Sequence, residues 1–183
     1  MDAKKGLILV IINSIIAIII FSYLVGVHYK EDKESFCDIS TGVSCDIVNK
    51  SAYSEIFGIP VALFGALTFL LIGILSFIAL KNRPIKISKK SFAQKDILKL
   101  LLAILVFSVL FSLWLIYAEL YLILSICILC VISDIIILIT LFILIKLNEK
   151  SINKNIINSV KVIAIITTLI IVYLLFKISM EVF

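Results

Sequence analysis

Charge is scarce in this chain, and so are the residues that punctuate loops. Of its 183 residues only 16% are Asp, Glu, Lys or Arg, with six glycines, two prolines, one histidine and one tryptophan. A water-soluble domain carries about 25% charged residues on its surface. Here 63% of the side chains are hydrophobic, more than the interior of a single domain of this length absorbs. A soluble globular protein is thereby excluded. The low glycine and proline content excludes collagen-like and disordered chains, and four cysteines are too few for a disulfide-stapled miniprotein. What is left is a polytopic membrane protein whose polar segments are loops.

Five apolar runs reach the roughly 20 residues that cross a bilayer as a helix. They extend from about Leu7 to Val27, Ile56 to Leu80, Ile97 to Ala118, Leu122 to Ile145 and Val162 to Val182. None alternates with a period of two, so barrel strands are excluded and helices must satisfy the backbone in lipid. The expected fold is all-α. A four-helix transmembrane bundle occupies residues 1–150, with an external cysteine loop at residues 28–57, and residues 151–183 add a fifth transmembrane helix. The first span is too long for a signal-peptide core and has no small-x-small site before His28, so it reads as retained. Lys4, Lys5, Lys81, Arg83, Lys86, Lys89, Lys90, Lys95, Lys99, Lys146, Lys150, Lys154 and Lys161 fall on one side of alternating spans. Lys30, Lys33, Lys50 and Lys177 remain for the other side, alongside Glu31, Asp32, Glu34, Asp38, Asp46 and Glu55. The positive-inside rule then makes the N-terminus cytoplasmic in a multi-pass protein of the cell membrane. The net charge of +5 is a topology signal, not a nucleic-acid-binding one, because it is divided among short loops without interleaved aromatics.

The cysteines form two pairs, both on the extracytoplasmic side where disulfides persist. Cys37 and Cys45 bracket a short loop with Thr41-Gly42 as a turn at its middle, and a loop of that size closes readily into a disulfide. Residues 28–34 read as a charged, solvated connector ahead of it. Between Asp46 and Phe57 the apolar residues Ile47, Val48, Ala52 and Ile56 interleave with polar ones, which predicts a short helix on the membrane surface. Gly58-Ile59-Pro60 ends it, with Pro60 in the first turn of the second span. Cys127-Ile-Leu-Cys130 opens the fourth span after an external linker around Glu119 to Ser125. Its spacing puts both sulfurs on one helical face. The helix N-terminus favours Cys127 as the more reactive thiol, and burial weighs more on Cys130, a turn deeper. Two pairs on one side of the membrane point to a thiol–disulfide relay. The alternatives are inert buried cysteines and a zinc site built from the four sulfurs. His28, the single histidine, reads as a juxtamembrane surface residue, and Trp114, Tyr117 and Tyr121 as interfacial anchors.

The order Cys37, Cys45, Ser51, Phe57-Gly58-Ile59-Pro60, Gly65 and Cys127-x-x-Cys130 resembles the vitamin K epoxide reductase family over the first four spans, roughly Leu7 to Ile145. The resemblance implies a four-helix bundle around a pocket for a quinone of ubiquinone or menaquinone type. It implies an enzyme that reoxidises a thioredoxin-like partner and so supports disulfide formation in exported proteins. Carried over by position, Cys37 and Cys45 are the shuttle pair that exchanges with the partner, Cys45 bonds transiently to Cys127, and Cys130 faces the quinone. Ser51 corresponds to a loop serine near the active site and Phe57 to an aromatic beside the pocket, while Tyr53, near Ser51, is expected to help cap it. Many prokaryotic members carry a thioredoxin-like domain after the fifth helix. This chain stops at Phe183, so the partner is expected to be a separate protein.

A tyrosine that vertebrate members carry four residues after the second cysteine of the CxxC is Asp134 here. Asp134 shares a helical face with Cys127 and Cys130, about 10 Å along the axis from the first. A carboxyl inside a span is a functional-site hypothesis by default. It can serve as a protonatable group beside a quinone that takes up two protons, or simply be hydrogen-bonded to Ser108 or Ser112. A transporter or channel would want more polar groups deep in its spans, and only Asp134 lies there.

Overall fold

The computed structural model describes residues 3–30, 35–40, 42–81, 85–87, 90–92, 94–149 and 154–182, with residues 85–92 and 181–182 as backbone only. Residues 31–34 of the expected connector, Thr41 of the loop turn, and the cationic Arg83, Lys89 and Lys150 lie outside the described residues. In chain order the elements are α1 (Ala3–Tyr29), α2 (Cys45–Asn49), β1 (Glu55–Ile56), β2 (Ile59–Pro60), α3 (Val61–Leu80), β3 (Ile85–Ile87), β4 (Lys90–Phe92), α4 (Gln94–Tyr117), α5 (Ile128–Asn148) and α6 (Lys154–Val182). Helices α1, α3, α4, α5 and α6 are each long and apolar enough to cross a membrane. The chain is thus the helical membrane protein that its hydropathy predicts.

In lipid, apolar faces gain nothing by leaving water, so helices associate through close packing and a few interhelical hydrogen bonds. Helix α1 packs along α3 through small residues. A Cβ at Gly65 would lie 2.7–2.9 Å from the Phe21 ring, and one at Gly73 would lie 3.5 Å from Ser14 Cβ. The Phe21 ring therefore occupies the space that glycine vacates. Helix α5 is the hub, packed against α1, α4 and α6. Within its spanning window 56% of the residues are buried, against 17% for α6, which makes α6 an outer helix. Polar ties fix the hub: Asn13 Nδ2 donates to Thr140 Oγ1 at 3.2 Å, and Asn148 Nδ2 donates to the Leu98 carbonyl at 3.0 Å.

The single surface helix expected from Asp46 to Phe57 is instead three pieces: α2, a 3-10 turn at Ala52–Ser54, and the antiparallel pairing of β1 with β2. Side-chain hydroxyls explain the break. Ser44 Oγ accepts from Ile47 N at 3.1 Å and caps α2, while Ser51 and Ser54 donate to the Val48 and Asn49 carbonyls at 2.7 and 2.6 Å. Those carbonyls are the acceptors that a longer helix needs. The two-residue link between β1 and β2, Phe57-Gly58, has φ of 55° and 77°, the backbone of a tight hairpin turn with both central residues left-handed. Such short pairings carry no alternating signature in a sequence, and β3 with β4 escapes notice for the same reason.

Candidate functional site

The cysteine loop holds its shape with side-chain bonds around one carboxylate. Asp38 accepts from Ser35 N at 2.8 Å, Ser35 Oγ at 2.9 Å, Ser44 Oγ at 2.5 Å and Asp46 N at 3.1 Å. Partial burial pushes this carboxyl up, but the bonds from Ser44, Asp46 and Ser35 outweigh it and hold the group at about 2. Around that knot Cys37 and Cys45 are joined as a disulfide. The loop is then lashed to the strand-like segment ahead of α5, with Ser44 N donating to the Ile126 carbonyl at 3.1 Å and Ile126 N to the Gly42 carbonyl at 2.9 Å. This tie brings the loop sulfurs over the N-terminus of α5.

On the membrane side, α4 does not end at Tyr117. It continues through one wide π-type turn at Ala118–Ile123, closed by Leu124 with φ 57°. Cys127 is the N-cap of α5, its sulfur accepting from Cys130 N at 3.2 Å. The Cys127 sulfur lies 3.5 Å from that of Cys45, and Asn49 Nδ2 contacts it at 3.6 Å while donating to the Cys45 carbonyl at 2.9 Å. Cys127 is completely buried, whereas Cys130 is partly exposed. The expected order of burial is therefore reversed. Cys127 is roofed by α2 and the loop, and Cys130, one turn on, opens onto a cavity. His28 is no free surface residue either. Its Nδ1 donates to the Asn49 carbonyl at 2.6 Å and its Nε2 faces Glu55 at 3.4 Å, tying the end of α1 to α2 and β1.

That cavity has a volume of about 600 Å³, lies among α1, α3, α4 and α5, and is roofed by residues 48–56. Its walls are mostly apolar and aromatic, including Phe64, Phe69, Phe107 and Phe111, with polar groups from Ser51, Tyr53, Glu119, Cys130 and Asp134. Ser51, Tyr53, Cys130 and Asp134 thus meet where the sequence reading put them. Phe57 does not. It is fully exposed and takes no part in the lining, because its left-handed turn backbone points the ring away from the roof. Asp134 accepts a hydrogen bond from Ser112 on α4 and also lines the cavity, so its two readings coexist. Trp114, Tyr117 and Tyr121 are exposed, with neighbouring ring centroids 5.9 and 5.2 Å apart.

Two residues escape the sequence reading. Glu119, assigned to an external linker, is only 4% exposed and accepts from Cys127 N at 3.2 Å. A signal was present: no glycine or proline interrupts residues 118–126, which argues for continued helical backbone. Asn49 sits one helical turn after Cys45, a spacing that marks it as a neighbour of the sulfur chemistry once α2 is known to be a helix.

The chain matches the model of the vitamin K epoxide reductase family over residues 8–145. It belongs to that family. The matched region runs from α1 through most of α5 and holds all four cysteines, and α6 lies beyond it. No curated protein matches the chain. As a vitamin K epoxide reductase family protein it is a multi-pass membrane thiol–disulfide oxidoreductase, and its sulfurs are arranged for that chemistry. Exchange requires a thiolate to reach a disulfide sulfur. Here the Cys37–Cys45 bond, the 3.5 Å approach of Cys45 to Cys127, and the Cys127–Cys130 turn follow one another from loop to cavity. Among the described residues no group of three or more His, Cys, Asp or Glu side chains could hold a metal ion.

Proposed function

We propose that this family member carries electrons from a separate thioredoxin-like extracytoplasmic protein to a quinone of ubiquinone or menaquinone type, and so sustains disulfide formation in exported proteins. In the proposed cycle the partner's dithiol reduces the Cys37–Cys45 disulfide. The Cys45 thiolate attacks Cys127 of a Cys127–Cys130 disulfide, forming a Cys45–Cys127 bond and releasing Cys130. Cys37 then attacks Cys45, which restores the Cys37–Cys45 disulfide and leaves Cys127 and Cys130 as thiols holding two electrons. A quinone in the cavity takes those electrons and two protons, becomes a quinol, and leaves the Cys127–Cys130 disulfide ready for the next cycle. Ser51, Tyr53 and Asp134 border the site in which the ring is held. Residues 1–150 are the catalytic core in this reading, with α6 an added helix, the N-terminus cytoplasmic and all four cysteines outside.

The observation that carries the reading is the 3.5 Å contact between Cys45 and Cys127, two residues far apart in the chain, with the more exposed Cys130 facing an apolar cavity. A cavity of this size and lining fits a lipid-soluble ring. The test uses the full chain in nanodiscs. The reduced protein should lose its thiols when a short-chain ubiquinone is added, and Cys37→Ala, which cannot resolve the intermediate, should accumulate a Cys45–Cys127 disulfide detectable by peptide mass spectrometry. Absence of both results would sink the proposal. Full turnover by Asp134→Asn would remove Asp134 from any part in proton uptake.

A further inference from the structure

Oxidising two thiols with a quinone breaks two S–H bonds, makes one S–S bond and makes two O–H bonds, so two protons must travel with the electrons. In water they would exchange with solvent. Here Cys127 is fully buried beneath α2 and the loop, and Cys130 opens onto a mostly apolar cavity instead of onto water, so the protons need a carrier built into the protein.

Glu119 stands where that carrier is required. It is buried on the wide turn, its carboxylate accepts from Cys127 N at 3.2 Å, it lies beside the Cys130 thiol, and it lines the cavity that opens from Cys130. No lysine or arginine among the described residues lines that cavity. A buried carboxyl group without a cationic partner is expensive to keep, and a hydrogen bond to one backbone N–H could be supplied by an uncharged side chain. Among the described residues the titratable groups facing it are Cys127, the N-cap of α5, and Cys130 and Asp134 on that helix. Asp134 is a turn further from the sulfurs and already engaged by Ser112.

We infer that Glu119 is the acid–base group of the quinone half-reaction, taking the proton of each thiol as the Cys127–Cys130 bond forms and passing it to a quinone oxygen. The inference rests on the quinone reading above. It assigns the proton path to a residue on α4's terminal turn, outside the CxxC helix.

The test is Glu119→Gln in the full chain in nanodiscs. Glutamine keeps the shape and the acceptor for Cys127 N but carries no proton. Oxidation of Cys127 and Cys130 by a short-chain ubiquinone should slow by about a hundred-fold, within the range typical of a lost acid–base group, and its pH dependence should flatten. Reduction of the Cys37–Cys45 disulfide by dithiothreitol should proceed at the wild-type rate. A second readout needs no quinone: redox-difference infrared spectra of the wild type should show a carboxyl band that changes when dithiothreitol reduces the Cys127–Cys130 pair, and this band should vanish in the Gln variant. Glu119→Asp should recover at least ten-fold over Gln and regain the pH dependence, and it decides the matter if the Gln variant does not fold. A Gln variant within two-fold of wild type, a carboxyl band that survives in it, or an Asp variant with a flat pH profile overturns the assignment while leaving the quinone reading intact. A wild-type protein that fails to pass electrons to quinone overturns both.

Discussion

The Cys37–Cys45 loop and the Cys127–Cys130 helix start are held by different physics. The loop lacks an extended ladder or a long helix, and beyond the buried side chains of Cys37, Val43 and Cys45 its geometry depends on the Asp38 knot and two backbone bonds to the segment before α5. The helix pair sits at the first turn of the most enclosed helix of the bundle, where packing from α1, α4 and α6 fixes the backbone. Segments with few buried apolar contacts open at low free-energy cost, whereas a packed helix opens only with the whole domain. A relay between water and lipid needs both behaviours: one couple able to meet a partner and return, and one that keeps its distance to the acceptor.

Removing a sulfur breaks this comparison most severely. Cys45→Ala, Cys127→Ala and Cys130→Ala should each lower dithiol-dependent quinone reduction by about 10³-fold or more, since residues acting as one unit fail together. Equal activity in any of them would show that its couple is bypassed. Disturbing the packed side alone comes next. Gly65→Leu forces the Phe21 ring out of its place, an overpacking that typically costs about 1–3 kcal/mol, and thermal unfolding in detergent should register it while the Cys37–Cys45 disulfide still forms. Asn49→Leu acts at the junction of the two regions by deleting the amide contacts to Cys127 Sγ and the Cys45 carbonyl. With about 1 kcal/mol at stake, exchange between the two pairs, followed by rapid alkylation and mass spectrometry, should slow about five-fold.

The smallest effect belongs to the loop and is set by pH. Asp38 is held at about 2, below its usual 3.8, so the folded loop binds its proton less readily than the unfolded one. Its stabilising contribution is complete above about pH 4 and is lost as pH falls toward 2. Hydrogen exchange of the loop amides should quicken across that window while amides of α5 do not follow. Asp38→Asn should give quicker loop exchange at neutral pH and remove the pH dependence. If α5 followed the loop in either experiment, the two regions would be one cooperative unit and the contrast drawn above would be wrong.

How much of this was legible beforehand depends on what each feature answers to. The long helices, and the pairing of four cysteines in two groups, could be read from composition and spacing. Ser51 was placed near the site by resemblance, Tyr53 by its nearness to Ser51 and Asp134 by the helical face it shares with the CxxC, and all three line the cavity. Phe57 was misplaced because the direction of its ring depends on a turn whose left-handed backbone shows in no hydropathy pattern. Glu119 was assigned to an external linker because its burial depends on a wide helical turn and on a loop from elsewhere in the chain folding over it. The burial order of Cys127 and Cys130 was inverted for the same reason.

Lipid imposes one demand on every backbone amide, that it find its partner within the segment, and a run of apolar residues meets that demand in only one way. The helical spans follow from residue order alone for that reason. Which sulfur is roofed, which acid is enclosed and which ring turns outward are decided by contacts between segments distant along the chain. Cys45 reaches Cys127 only after α1, α3, α4 and α5 have packed and the loop has been tied to Ile126, and packing of that kind is a property of three-dimensional neighbours rather than of any local pattern.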